Sequence, residues 1–396
     1  MKWKGERFME TREKLFKRFE EIFGEPGETF YFSPGRINLI GEHTDYNGGK
    51  VFPAAITLGT YAVVSKREDK EVHAFSKNFE DIGILSFSLE GIEYEKESNW
   101  TNYVKGMLLY IQEIAGELDH GFNLLIYGTI PNGASLSSSA SIEVLTGVIA
   151  NDLYDIHLDG ETLAKLGMRV ENEFLDLSSG IMDQFIIANG KEGHALLLDT
   201  NTLEYEQVPV DMPNHKIIIM NSLVRRELVD SEYNLRREQC NEAVEKLNQV
   251  VSISNLGELT ESEFEQYKYA IQDEVVTRRA KHAVYENQRT EKAARALQDG
   301  QLEVFGKLMN DSHLSLHEDY EVTVKETDLL VRLAWEQAGV VGARMTGGGF
   351  GGACIAIVEN DQVDDFIENV GSSFEAEIGY APEFYVAETA DHAKKI

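Results

Sequence analysis

An apolar stretch, Gly121–Ile130, runs into Pro131-Asn132-Gly133-Ala134-Ser135-Leu136-Ser137-Ser138-Ser139-Ala140-Ser141, and this junction constrains the fold more than any other feature of the chain. It reads as a strand, a loop of small residues, and a helix that opens near Ser137 and runs to Ala150. Small residues let backbone N–H groups close on an anion, and a helix N-terminus adds unpaired donors and the positive end of its dipole. The hydroxyls add neutral donors, and one can also serve a divalent cation. Serine is a favoured helix cap, but four serines within five positions exceed what capping requires. No Gly-Lys pair is followed by Ser or Thr, so this is not a P-loop.

The charge balance makes such a loop necessary for any anionic ligand. The 396 residues carry 37 Lys+Arg against 68 Asp+Glu, a net charge of −31. That field repels nucleic-acid phosphates and anionic lipid, and it leaves an anionic substrate to local N–H groups, a metal ion or a few placed cations. The length predicts two or three domains. Cys240 and Cys354 lack CxxC or metal-ligand spacing and read as small buried residues. The charged stretch from Met1 to Phe23 has no apolar h-region, and no run approaches the roughly 18 apolar residues of a membrane helix. A cytoplasmic protein is expected.

Along the chain, Phe8, Leu15, Phe16, Phe19, Ile22 and Phe23 recur at helical spacing until Gly24 and Pro26. Strand-like stretches follow at Thr29–Phe32, Tyr61–Lys66 and Glu71–Phe75, and a helical stretch at Gly160–Phe174 precedes a loop with Ser178-Ser179-Gly180. After strand signals at His194–Leu198 and His215–Met220, long charged helices dominate, Ser231–Val250 and Val276–Leu297, before Ala353–Val358 and Phe384–Glu388. The expectation is an α+β fold in two lobes, residues 1–200 and 201–396.

Three further segments carry chemistry. Met345-Thr346-Gly347-Gly348-Gly349-Phe350-Gly351-Gly352 contains a GxGxxG match, but a strand-like stretch rather than a helix follows, so the dinucleotide reading fails. Five glycines in six residues imply close backbone approach to a ligand or to the serine loop. The segment Ser33–Gly49 packs Arg36, Glu42, His43, Asp45 and Asn47 between glycines. This mixture suits a polyhydroxylated ligand, a solvated turn being the alternative. No second histidine stands at zinc-ligand spacing. Asp183, in Gly180-Ile181-Met182-Asp183-Gln184, sits among apolar residues as hydrogen-bonded structure or as a tuned acid/base group. Glu171 reads alone as a surface acid.

Together these segments resemble the galactokinases of the GHMP small-molecule kinase superfamily. Arg36–Gly49 is similar to the galactokinase signature, the serine loop to the superfamily's phosphate-binding motif, and Thr346–Gly352 to its third, glycine-rich motif. Ser135 stands where that loop often has a second glycine. The resemblance implies two lobes with the active site in the cleft between them. It implies ATP-dependent phosphorylation of D-galactose at the anomeric C1 hydroxyl, giving galactose 1-phosphate and ADP. It places Arg36, Glu42, His43, Thr44, Asp45, Gly180, Asp183 and Tyr233 on the sugar. Gly133, Ala134, Ser135, Leu136, Ser137, Ser138 and Ser139 would wrap the ATP phosphates. Trp100 and Tyr103 would flank the adenine, with Ser76 also on the nucleotide, and Ser139 with Glu171 would hold Mg²⁺. Asp183 resembles the catalytic base and Arg36 its electrostatic partner. A monomer is expected, with galactose and ATP as small-molecule substrates and neither nucleic acid nor membrane as partner. An N-acetylgalactosamine kinase and a non-catalytic sugar sensor remain open. Such sensors resemble kinases with a shortened serine loop, whereas Ser137-Ser138-Ser139-Ala140 is whole.

Overall fold

The computed structural model describes residues 4–131, 133–177, 179–224 and 229–396. Asn132 and Ser178, in the two loops, lie outside the described residues, as does the side chain of Phe8 in the first helix.

Six strands form the first sheet, in the order Lys394–Lys395, Thr29–Asn38, Pro53–Lys66, Phe122–Gly128, Glu71–Ser76 and Leu85–Ser88. Neighbours are antiparallel except Glu71–Ser76 beside Phe122–Gly128. The period of two explains its layers. Tyr31, Ala62, Val64, Leu124 and Ile126 face a core shared with helices Thr101–Ala115, Ser138–Leu153, Gly160–Arg169 and Met182–Asn189. Phe30, Val63, Phe75 and Leu125 point the other way, against Leu15 and Phe19 of helix Lys4–Phe23. A sheet covered on both faces needs apolar residues at both phases, which is why its strands read as nearly continuous apolar runs.

The second sheet has four antiparallel strands, Val340–Thr346, Ala353–Glu359, His215–Asn221 and Glu383–Ala387. One face, with Ile218, Met220, Ala356 and Val358, packs on Leu330, Val331, Phe366 and Phe374 of helices Lys325–Trp335 and Val363–Ile378. The other, with Ile217, Ile219, Ile355 and Ile357, packs on Ile37, Leu39, Ile40 and Phe52, and on Leu136 of the serine loop. The segment Ser33–Gly49 is therefore no solvated turn: its apolar anchors are fully buried in the core between the two sheets. A small third sheet joins Lys50–Val51, His194–Asp199 and Tyr205–Pro209.

The anticipated strands and helices are present, with shifted ends. The strand from Thr29 does not stop at Phe32 but runs to Asn38, absorbing Pro34 in a register shift between Pro34 and Gly35. Gly35 is required there, because a Cβ would lie 2.7 Å from the Leu136 carbonyl of the crossing serine loop. Helix Thr101–Ala115, most of whose residues are buried, was passed over in the sequence reading. Among the described residues, no helix is long and apolar enough to cross a membrane.

Candidate active site

The serine loop is held in a conformation its own residues do not prefer. Gly133, Ser135 and Ser137 have φ of 75°, 60° and 64°. Left-handed backbone costs a non-glycine residue roughly 1–2 kcal/mol, so partners must fix it. Arg36 supplies one, donating from Nη1 to the Ser135 carbonyl at 2.6 Å. Ser137 supplies another, its Oγ donating to Asp183 Oδ2 at 2.5 Å. Although Ser137 occupies the cap position of helix Ser138–Leu153, it makes no side-chain cap bond. Ser137 and Ser139 thus commit their hydroxyls to the carboxylates of Asp183 and Glu171 rather than to capping.

Arg36 and Asp183 form a two-pronged ion pair, Nε to Oδ1 at 2.8 Å and Nη2 to Oδ2 at 2.9 Å. The guanidinium is buried at the end of its strand, with 5% of the side chain exposed, while Asp183 keeps 29%. The carboxylate thus faces the cavity with its charge partner behind it, in the first turn of helix Met182–Asn189.

Beside it, Ser139 Oγ donates to Glu171 Oε1 at 3.1 Å. Glu171 lies in a wider i→i+5 turn over Val170–Phe174, a distortion frequent at functional sites. Burial pushes its carboxyl up, as does the charge of Asp183, while the nearby polar groups of Ser179, Gln184 and Ser139 pull it down. Two hard oxygen donors side by side at the serine loop fit Mg²⁺, which takes one or two protein oxygens and otherwise phosphates and water. Among the described residues no group of three or more His, Cys, Asp or Glu could hold a metal by itself.

The sugar segment closes the opposite wall. Glu42 Oε1 accepts from the Gly347 N–H at 2.9 Å, and its other oxygen pairs with Arg344. His43, at φ 62°, places Nδ1 2.8 Å from the Tyr46 hydroxyl, and its ring packs on Tyr320 and Tyr233 at 4.8 and 5.3 Å. Burial, and next the charge of Asp183, push the Asp45 carboxyl up to about 6. Gly180 packs directly on that carboxylate: a Cβ would lie 1.8 Å from Asp45 Oδ2. The glycine hairpin, in turn, touches the serine loop, since a Cβ on Gly347 would meet the Ser135 carbonyl at 3.1 Å.

These walls enclose a cavity of about 540 Å³. Arg36, Glu42, His43, Asp45, Tyr103, Gly133, Ser135, Leu136, Ser137, Ser138, Ser139, Glu171, Gly180, Asp183 and Tyr233 line it, with Gly347 and Gly348 of the hairpin. Four of the sequence candidates do not. Thr44 spends its hydroxyl on the carbonyls of Gly41 and Lys50, and Ala134 is buried beneath the loop. Trp100 packs in the core under the first sheet, and the buried Ser76 hydroxyl accepts from the Asn78 N–H. Sequence reasoning passed over Glu143, fully buried and bonded by Gln184 Nε2 at 2.9 Å immediately after Asp183. It also passed over Arg344. Both interrupt apolar elements, and that interruption was the available signal.

A strained serine loop, a glycine hairpin against it and a two-pronged Arg–Asp pair, set between two lobes of mixed α and β structure, define a small-molecule kinase of the GHMP class. The sequence matches the GHMP kinases N terminal domain over residues 102–191, GHMP kinases C terminal over 293–376, and the galactokinase galactose-binding signature over 17–66. It is 56% identical to a galactokinase of Ligilactobacillus salivarius over 95% of this chain and 97% of that one. Against a galactokinase of Enterococcus faecalis the identity is 55%, over 97% and 99%. The crystal structure of Lactococcus lactis galactokinase complexed with galactose matches at a TM-score of 0.95 and 46% identity, covering 98% of this chain and 100% of that one. The chain belongs to the galactokinase family, and ATP is its co-substrate.

Proposed function

We propose that this chain transfers the γ-phosphoryl group of ATP to the anomeric C1 hydroxyl of D-galactose, with Asp183 as base and Arg36 as its electrostatic partner. The observation that carries the assignment is the Arg36–Asp183 pair at the meeting point of the serine loop and the sugar segment. A sugar hydroxyl is a poor nucleophile at neutral pH. Asp183 takes its proton as the oxygen forms its bond to the γ-phosphorus and the bond to ADP breaks. Arg36 offsets charge on the transferring group and, through the Ser135 carbonyl, ties the phosphate loop to the base. Glu42, His43 and Asp45, with Gly180 and Tyr233, present acceptors and an aromatic wall to the sugar. Loop N–H groups and hydroxyls from Gly133 to Ser139 take the phosphates, and Tyr103 takes the nucleotide side. Ser139 and Glu171 would hold Mg²⁺, which when bound neutralises phosphate charge that a −31 chain repels.

The same reading takes residues 1–200 and 201–396 as the two working lobes. It also takes the enzyme as a cytoplasmic monomer, supported by a cavity complete within one chain and by two buried free thiols. A coupled ADP assay with galactose, N-acetylgalactosamine and glucose, the product located by phosphorus NMR, tests it. Fast turnover with galactose and phosphate on C1 is expected. Failure with galactose, or phosphate on another hydroxyl, overturns the assignment.

A further inference from the structure

We propose that Arg344 is a positioning residue for sugar recognition, holding Glu42 from inside the protein so that its carboxylate faces the cavity in one orientation. The inference rests on the reading of Glu42 as a sugar contact.

Arg344 is the only charged residue of strand Val340–Thr346 and is fully buried. Its Nη2 pairs with Glu42 and lies 3.8 Å from Glu286 Oε1, while Nη1 donates to the Asn38 carbonyl at 3.3 Å. Glu286, also fully buried, stands on helix Glu274–Gln298 and pairs with Arg289. It further accepts from Ser312 Oγ at 2.5 Å and from the Gly41 N–H at 3.1 Å. Four charges thus alternate in sign, Arg289, Glu286, Arg344 and Glu42, and they end at the cavity wall.

Buried ion pairs are a weak means of stabilising a fold, because desolvation cancels much of their attraction. Their geometry is what this cluster supplies. It grips the sugar segment twice, at the Gly41 N–H and at the Glu42 carboxylate. Each carboxylate oxygen has two lone pairs. Oε1 accepts from the Gly347 N–H and Oε2 stands against the Arg344 guanidinium as an ion pair, so the carboxylate is fixed in one orientation and a polyol meets an acceptor that needs no reordering.

The test must separate positioning from folding, since Arg344→Met alone leaves Glu42 and Glu286 with only Arg289. Arg344→Met with Glu286→Gln restores the charge balance. For this folded double variant, galactose KM is expected to rise about tenfold, with kcat and ATP KM within about threefold. Arg344→Lys, which keeps the charge but not the fork, should fall between it and wild type. Galactose KM within twofold of wild type in the folded double variant overturns the proposal; were the double variant unfolded, the same result in Arg344→Lys would overturn it. Glu42→Gln is the companion arm. If it raises galactose KM while the Arg344 variants do not, only the positioning role falls. If Glu42→Gln leaves galactose KM unchanged, the reading of Glu42 falls and the inference with it.

Discussion

The serine loop and the sugar segment face each other across one cavity and are built on opposite chemistry. The loop offers backbone and hydroxyl donors, carries no charge of its own from Pro131 to Ser141, and is held in left-handed backbone by Arg36 and Asp183. The sugar segment offers carboxylate acceptors, Glu42 and Asp45, held by Arg344 and by the close approach of Gly180. A polyanion in an acidic protein calls for donors without repulsion, whereas a neutral polyol is best met by strong acceptors. Arg36 and Asp183 are where the two meet, so damage there should stop chemistry, while damage on either side should spoil one substrate alone.

The largest expected effect falls on that junction. Asp183→Asn keeps size and hydrogen bonding but cannot take a proton. It should lose about 10²–10⁴-fold in turnover, while calorimetry still detects galactose and ATP binding. Arg36→Ala should also lose turnover, and the double variant should lose less than the product of the two factors, because the pair acts as a unit. A folded, substrate-bound Asp183→Asn enzyme within a few fold of wild type would leave positioning as the whole of catalysis.

Next comes the acceptor side. A methyl group at Gly180 must displace the Asp45 carboxylate, since its Cβ would lie 1.8 Å away. One sugar hydroxyl left unpaired costs about 1–3 kcal/mol, so Gly180→Ala should raise galactose KM by roughly 5- to 150-fold, with ATP KM little changed. Equal changes in both would dissolve the division between the walls. On the donor side, Glu171→Gln should require about 10- to 100-fold more Mg²⁺ for half-maximal turnover and leave galactose KM nearly intact. An unchanged Mg²⁺ titration removes Glu171 from the metal site.

The smallest effect is a pH dependence confined to the sugar. The Asp45 carboxyl, pushed up to about 6, is ionised above that pH and gains a proton below it, losing an acceptor. Galactose KM should be flat above about pH 7, about twofold higher at pH 6, and rise by at most about tenfold per unit below that. Asp45→Asn should erase the inflection. A wild-type profile flat from pH 5 to 8 contradicts the assigned role of Asp45.

Most of this division was legible in the chain. The serine loop announced itself through composition at a strand–helix junction, and the sugar segment through charged residues between glycines. Two kinds of information were not legible. Burial was one: Ile37, Leu39 and Ile40 could be read as anchors, but only the second sheet, from beyond residue 200, turns them into core. Long-range support was the other. Arg344 and Glu286 are far from residue 42 in sequence, and no local periodicity predicts that a strand, a helix and a loop bring them together. Trp100 shows a different limit of the sequence. The resemblance places it beside the adenine together with Tyr103, and the structure packs Trp100 in the core while Tyr103 stands on the cavity wall.

The outer strand of the first sheet has a consequence for how the chain acquires its structure. Tyr31 and Phe32 pair with Lys395 and Lys394, and the Ile396 N–H donates to the Phe30 carbonyl. During synthesis at about 5–20 residues per second, that edge of the sheet therefore waits on the order of half a minute for its partner. Until then the Thr29–Asn38 strand presents open N–H and C=O groups to any neighbouring chain. Closing so distant a contact is slow. A nascent chain that has already formed the sugar segment, the serine loop and the base is still a sheet with one side unsealed, and a ribosome-tethered aggregation assay would find its most vulnerable interval there.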